Sequence, residues 1–282
     1  LKKHTADNDL IIVDVRQDRH FDGRVIPGAI RMPYTLFRFN SLSLDLAGLF
    51  IGADAAQSVF GQHGIRRDSR VVLYDSVQKD GGATASYVYW VLDVLGHAEK
   101  KILDGGIDAW RASGFEIDSK TATLPPVSYQ VPVDEYHIRE VVDGHFVYNR
   151  LADPYYQIID VRSREEYMGL VRSRSMRGVV LSPGHIPSAV NIDYRKNWSD
   201  QATKRIKSYN ALQEVYRDVD PNKGVIVYCA SGRRSSFSYF VLKLIGIENV
   251  YTYDASWQEW GNPHKFFPVE TVERRFSAEK RP

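Results

Sequence analysis

Cys229 is the one cysteine among 282 residues, and its setting suits a reactive thiol. It directly follows the apolar run Gly224-Val225-Ile226-Val227-Tyr228 and precedes Ala230-Ser231-Gly232-Arg233-Arg234-Ser235-Ser236. Apolar residues then recur at Phe237, Phe240, Val241 and Leu244, the i, i+3, i+4, i+7 spacing of a helix. The thiol is therefore expected at the carboxyl end of a strand, over the start of a helix. A free thiol has a pKa of about 8.5, and a helix N-terminus or a nearby cation lowers it into the range of about 3.5–7.5. The small residues Ala230, Ser231 and Gly232 let backbone N–H groups turn inward as an anion nest. Gly232 takes a positive φ at no steric cost, and Ser235 or Ser236 is expected to cap the helix. Arg233 and Arg234 add fixed positive charge suited to an oxyanion, and at least one is expected to face the loop.

The elements that must hold this loop occur twice. Ile12-Val13-Asp14-Val15-Arg16 returns as Ile158-Ile159-Asp160-Val161-Arg162, and Ile26-Pro27-Gly28-Ala29-Ile30 as Ile186-Pro187-Ser188-Ala189-Val190. Val71-Val72-Leu73-Tyr74-Asp75 returns as Val225-Ile226-Val227-Tyr228-Cys229, and Asp104 through Trp110 as Asp254 through Trp260. The offsets are 146, 160, 154 and 150 residues, and the order is kept, so the chain is read as a duplicated domain. Short apolar runs at 10–14, 70–74, 157–161, 224–228 and 249–253 read as buried strands, with helical periods between them, as at Val88, Val91, Leu92 and Leu95. This predicts an α/β architecture: two tandem domains, each a mostly parallel central sheet flanked by helices, with its site outside the strands' carboxyl ends. Residues 1–120 are expected to form the first domain, the polar, Pro-containing 121–135 a linker, and 136–282 the second. Asp75 stands where the second half has Cys229, so the first half lacks the nucleophile, and the loop after Asp75 is about four or five residues longer.

Composition narrows the function. Lys and Arg number 37 against 35 Asp and Glu, a formal charge of +2, which argues against a nucleic-acid binder. No apolar run approaches the ~20 residues of a membrane span. A single cysteine excludes an internal disulfide, a Cys-rich zinc site and a C-x-x-C pair. The chain opens on Leu1 close to a strand, which suggests that something upstream has been removed; a cytoplasmic or a periplasmic location fits equally.

D-V-R, then I-P-x-A, then V-x-Y-C-x-x-G-x-R-S, then D-x-x-W-x-x-W resembles the rhodanese, or sulfurtransferase, family over nearly the whole chain. The stretch from Tyr253 to Asn262, followed by Phe267-Pro268-Val269-Glu270, is similar to the tandem thiosulfate/3-mercaptopyruvate sulfurtransferases, in which only the C-terminal domain carries the cysteine. The resemblance implies a silent first domain that walls one side of a cleft, and a Cys229 persulfide that takes sulfur from a small donor and yields it to cyanide, a thiol or a sulfur-accepting protein, without metal or organic cofactor. It implies a substrate-binding loop made of Ala230, Ser231, Gly232, Arg233, Arg234 and Ser235. Arg177, in the Arg-rich stretch before Gly184-His185-Ile186-Pro187, lies about where the family has an arginine for the donor's anionic end. Mercaptopyruvate-preferring members show C-G-S-G-V-T-A; C-A-S-G-R-R-S departs from that and is closer to the basic loops of thiosulfate-preferring ones. Three alternatives are weaker. Preference for 3-mercaptopyruvate is one. A cysteine phosphatase needs an arginine six residues after the thiol, where this chain has Ser235. A non-catalytic rhodanese-like binding module would have no use for the retained thiol. Arg162 is expected to pair with Glu165 or Glu166, Trp110, Trp257 and Trp260 to be core residues, and His185 to be structural.

Overall fold

A computed structural model of the chain describes residues 1–5, 7, 9–78 and 80–271. These residues divide into two compact units, each assembled from separate stretches of sequence. The first comprises Leu1–Phe39, Phe50–Arg139 and Trp198–Ser208; the second comprises Asn40–Leu49, Glu140–Asn197 and the chain from Tyr209 onward.

The first unit runs β1 (Leu10–Asp14), β2 (Ile30–Arg31), α1 (Ala53–Gln62), β5 (Arg70–Tyr74), α2 (Ala83–Val94), β6 (Lys100–Ile102) and α3 (Gly106–Ala112); between β2 and α1 the chain forms the hairpin of β3 (Arg38–Ser41) and β4 (Leu46–Phe50), whose residues Asn40–Leu49 belong to the second unit. Its sheet has the order β2-β1-β5-β6 and every pairing is parallel. The apolar runs at 10–14 and 70–74 become β1 and β5 in register, Leu10 opposite Arg70 and Asp14 opposite Tyr74. α2 is buried on almost every side, through Tyr87, Val88, Trp90, Val91 and Leu92. The polar stretch after Ser119 packs against this unit: Ala122 N donates to Ala29 O, Val127 N to Gly61 O, and Tyr129 and Val131 are buried.

The second unit runs β7 (Val141–Val142), α4 (Gly144–Tyr148), β8 (Tyr156–Asp160), α5 (Arg164–Tyr167), β9 (Val190–Asn191), α6 (Tyr209–Val215), β10 (Gly224–Tyr228), α7 (Arg233–Leu244), β11 (Val250–Tyr253) and α8 (Ser256–Trp260). Its sheet has the order β7-β11-β10-β8-β9, again all parallel. β10 is central and all five of its residues are buried, as its unbroken apolar run requires. Fully burying a side chain such as Ile226 is worth about 1.5–3 kcal/mol, so the strand that ends at Cys229 is a fixed base for the thiol.

Local differences from the sequence reading have clear causes. α7 begins at Arg233, with Gly232 as its cap at φ +83°; Ser235 and Ser236 lie inside the first turn and donate back to the carbonyls of Gly232 and Arg233 at 2.7 and 2.8 Å. A positive φ at Gly232 swings the chain into the helix before either serine can cap it. The buried face of α7 is Phe237, Val241 and Leu242, whereas Leu244, near the helix end, is exposed. Among the described residues no helix is long and apolar enough to cross a membrane.

Candidate active site

Each sheet is braced by the same buried group. In the first unit Arg16 lies against Asp14 at 2.6 Å and Tyr74 donates to Asp14 at 3.1 Å. In the second, Arg162 lies against Asp160 at 2.6 Å and Tyr228 donates to Asp160 at 2.6 Å. Arg162 is thus satisfied by Asp160 and by the Gly184 carbonyl at 2.8 Å, with its guanidinium 4.2 Å from the Trp257 ring centroid. Its expected pairing with Glu165 or Glu166 is not formed, because the nearer carboxylate of Asp160 takes its fork. Trp110, Trp257 and Trp260 are buried, as read from the sequence, and His185 is buried with Nδ1 3.0 Å from the Tyr167 carbonyl.

Glu166 instead grips Arg234 through two parallel contacts, Nη1 to Oε2 at 2.7 Å and Nη2 to Oε1 at 2.8 Å. Ser163 caps α5 through a reciprocal box with Glu166, so this carboxylate is held from both ends. Burial pushes the Glu166 carboxyl upward, but Arg234 outweighs it and the group lies below its ordinary range. Arg234 is correspondingly raised: Glu166 and the adjacent thiol overcome its own desolvation.

Cys229 is fully buried at the end of β10. Burial alone would raise its pKa. The positive charge of Arg234, the Ser231 N–H and the hydroxyl and N–H of Ser235 together outweigh burial and hold the thiol below its ordinary value. The structure therefore brings Cys229, Ser231, Arg234 and Ser235 together as the sequence placed them. Gly232 leaves room for the Asp254 carboxylate where a Cβ would otherwise project. Arg233 is half-buried at the first position of α7. Arg177 lies on the insertion, with an exposed side chain and its backbone N–H donated to Asp45 Oδ1 at 2.7 Å.

The first turn of α8 clamps the other side of the loop. Trp257 N and Gln258 N donate to the carbonyls of Cys229 and Ala230, both at 3.1 Å. Ser256 Oγ accepts from Cys229 N at 3.1 Å and Gly232 N at 3.3 Å, and donates to Tyr253 O at 2.7 Å. Ser256 has φ +57°, a left-handed conformation that costs a non-glycine residue about 1–2 kcal/mol. Its counterpart by the repeat is Gly106 at φ +55°, where a Cβ would run into the Asp75 carbonyl. Ser256 and Glu166 were not singled out as site residues from sequence. Gly106 was the available signal for the special backbone at 256; nothing in the sequence couples Glu166 to Arg234.

The first half supplies an internal comparison. Asp75 ends β5 as Cys229 ends β10, and Gly82 caps α2 at φ +86° as Gly232 caps α7. The Asp75 carboxylate accepts three backbone N–H groups, Gly82 at 3.2 Å, Thr84 at 3.2 Å and Ala85 at 3.1 Å. Ile107 N donates to Asp75 O at 3.0 Å, as Trp257 N does to Cys229 O. The loop geometry shared by both halves is thus one that gathers amides around an anion, and in the first half a carboxylate occupies it permanently.

Duplicated parallel sheets of this order, with one thiol at a strand end over an amide loop, define a rhodanese-fold protein. The chain belongs to the rhodanese-like family, whose domain profile matches residues 1–113 and again 145–263. It is 33% identical over 258 residues to the thiosulfate sulfurtransferase of Corynebacterium glutamicum, covering 88% of this chain and 80% of that one. It is 30% identical over 271 residues to the sulfur carrier protein TtuD of Thermus thermophilus, covering 93% and 91%. Among solved structures, Tum1 of Saccharomyces cerevisiae superposes with a TM-score of 0.75 at 22% identity, over 89% of this chain and 88% of that one. Wild-type EanB gives 0.76 at 23%, and there this chain spans 63% of the other's length. Both structural likenesses concern the fold.

Proposed function

We propose that the chain is a sulfurtransferase that carries sulfane sulfur on Cys229, with thiosulfate as donor. The observation that carries this reading is the depressed, amide-surrounded thiol of Cys229, set against the carboxylate that fills the matching loop of the first half. The names of the relatives in C. glutamicum and T. thermophilus support the same chemistry.

In the first half-reaction the thiolate attacks the outer sulfur of thiosulfate. The S–S bond of the donor breaks, sulfite leaves with the electron pair, and an S–S bond forms on Cys229. In the second, cyanide or a thiolate attacks the outer sulfur of this persulfide, and the Cys229 sulfur leaves as thiolate. Each step exchanges one bond to sulfur for another, a ping-pong scheme. The amides and hydroxyl of Ser231 and Ser235 stabilise the anion at the cysteine, and Arg234, fixed by Glu166, supplies the field. Ala230 and Gly232 shape the loop backbone. Arg233, at the first position of α7 beside the Cys229 loop, is assigned to the donor's sulfonate; Arg177 is assigned to its far oxygens through the family resemblance, consistent with its exposed guanidinium.

Steady-state kinetics with both donors test this. A hydrogen bond to a charged group is worth about 1.5–3 kcal/mol, so Arg233→Ala is expected to lower kcat/KM for thiosulfate by roughly ten- to a hundred-fold. Turnover of 3-mercaptopyruvate, with its single carboxylate, should fall less. Better use of 3-mercaptopyruvate than of thiosulfate by the parent protein, or an unaffected Arg233→Ala variant, would overturn the donor assignment.

A further inference from the structure

The repeat offset grows from 146 to 160 residues between Arg162 and Ile186, so the second half carries a 14-residue insertion that the first lacks. Its segment Leu170–Leu181 holds three arginines and no acidic residue, in a chain whose whole formal charge is +2. The insertion is ordered. Ser175 N donates to Val179 O and Leu181 N to Ser173 O, which makes it a small hairpin. Asp45, on the Asn40–Leu49 hairpin that belongs to the same unit, lashes it down by accepting from Arg177 N, from the Ser175 hydroxyl and from Asn262. The Asp45 carboxyl is held below its ordinary range by these bonds despite desolvation.

A segment fixed this firmly nevertheless presents apolar side chains to solvent. Leu170 is 71% exposed, Val171 55% and Val180 40%, and Leu42, three residues before Asp45, is 67% exposed. Arg172 and Arg174 are exposed among them. Grouped exposed apolar side chains mark interaction surfaces, and a pre-ordered one binds with less entropic loss. Side chains this exposed protrude, whereas small-molecule sites are concave. The patch also starts beside the chemistry: Leu170 N and Val171 N donate to Glu165 O, and the next residue, Glu166, grips Arg234 at the Cys229 loop.

We propose that the tip formed by Leu170, Val171, Arg172, Arg174, Val180 and Leu42 is the docking surface for an acidic protein segment that carries the sulfur-accepting cysteine. The proposal rests on the sulfur-transfer reading. The acceptor's thiolate attacks the outer sulfur of the Cys229 persulfide, that S–S bond breaks, a new one forms on the acceptor, and Cys229 departs as thiolate; no oxidant or reductant is needed.

The test uses the full chain, thiosulfate, and three acceptors: cyanide, a cysteine peptide flanked by glutamates, and the same peptide flanked by lysines. The glutamate peptide is expected to show a KM about tenfold lower than the lysine peptide at low salt, with the advantage shrinking as salt rises. The double variant Arg172→Glu/Arg174→Glu should reverse the preference, and Leu170→Ser/Val171→Ser should raise the KM of the glutamate peptide, both with unchanged cyanide turnover, which also certifies the fold. Absence of thiocyanate formation in the parent would refute the sulfur-transfer reading itself. Normal thiocyanate formation with equal use of the two peptides, or a preference untouched by charge reversal, would overturn the docking surface alone. Self-association of the chain, or co-sedimentation with anionic phosphatidylserine vesicles, that disappears in the same variants would give the patch to a different occupant and overturn the proposal as well.

Discussion

Asp75→Asn isolates the physical idea behind the site, because it asks whether the shared loop holds an anion in the half that has no thiol. Asparagine keeps the shape but loses the charge and one acceptor oxygen. Two of the three amides, Thr84 N and Ala85 N, converge on Oδ2, and the third, Gly82 N, on Oδ1. If the asparagine oxygen faces the pair, its NH2 group faces the Gly82 N–H. Hydrogen bonds to charged groups contribute about 1.5–3 kcal/mol and neutral ones about 0.5–1.5, so each retained bond weakens by about 1 kcal/mol and the orphaned amide costs about 1–3 more. The sum is about 3–5 kcal/mol, since the residue is only 5% exposed and water cannot substitute freely. With a urea m-value of about 1–3 kcal/mol/M, the unfolding midpoint should fall by roughly 1–2 M or more. Hydrogen exchange localises the effect: α2 amides should lose protection before those of α7. Thiocyanate production by the folded variant should be unchanged. An unaltered midpoint with unaltered α2 protection would show that the loop does not depend on an anion, and the reading of the Cys229 loop by analogy would fail with it.

Other outcomes follow from the buried thiol and its cation. The Cys229 thiol is held below its ordinary value in the folded chain, so the pH midpoint of its alkylation should lie below the value of about 8.5 for an unfolded cysteine, and Arg234→Met should move that midpoint upward. The thiolate's contribution to stability is complete above the unfolded value and is lost as pH falls through the folded one; a thiol-dependent stability that instead faded with rising pH would contradict the assignment. Arg234→Met also leaves the partly buried Glu166 carboxylate without its partner, and should cost about 1–3 kcal/mol in denaturant unfolding. Because Cys229 is fully buried, its reaction with a bulky aromatic disulfide, relative to that of a free thiol, should be slowed far more than its reaction with iodoacetamide; equal slowing of the two would mean the thiol is open to solvent.

The strands were legible because they read as short apolar runs whose carboxyl-terminal residues are buried, β10 along its whole length: 10–14, 70–74 and 224–228 form as expected, and 157–161 forms one residue earlier as β8. The cysteine loop was legible because its chemistry is local, with thiol, glycine and arginines adjacent in sequence. What depended on the tertiary fold was not. The partner of Arg234 comes from 68 residues away, and the buried arginine expected to take Glu166 already had Asp160 two residues back. The serine cap failed for a backbone reason, since Gly232 turns the chain into the helix earlier. The composition of each unit was beyond periodicity altogether: Asn40–Leu49 packs with the second unit and Trp198–Ser208 with the first. In the second unit Gln258 Nε2 donates to Ala47 O, and Gln258 Oε1 accepts from Ala47 N, both at 2.8 Å, a fit no local pattern announces.

Whether Cys229 carries the transferred sulfur is read by intact-protein and peptide mass spectrometry after thiosulfate treatment. One added sulfur atom is expected on the peptide containing Cys229, discharged by cyanide with formation of thiocyanate, and neither event in a folded Cys229→Ser variant. No added sulfur on that peptide, or thiocyanate formation that persists in Cys229→Ser, would contradict this role of Cys229.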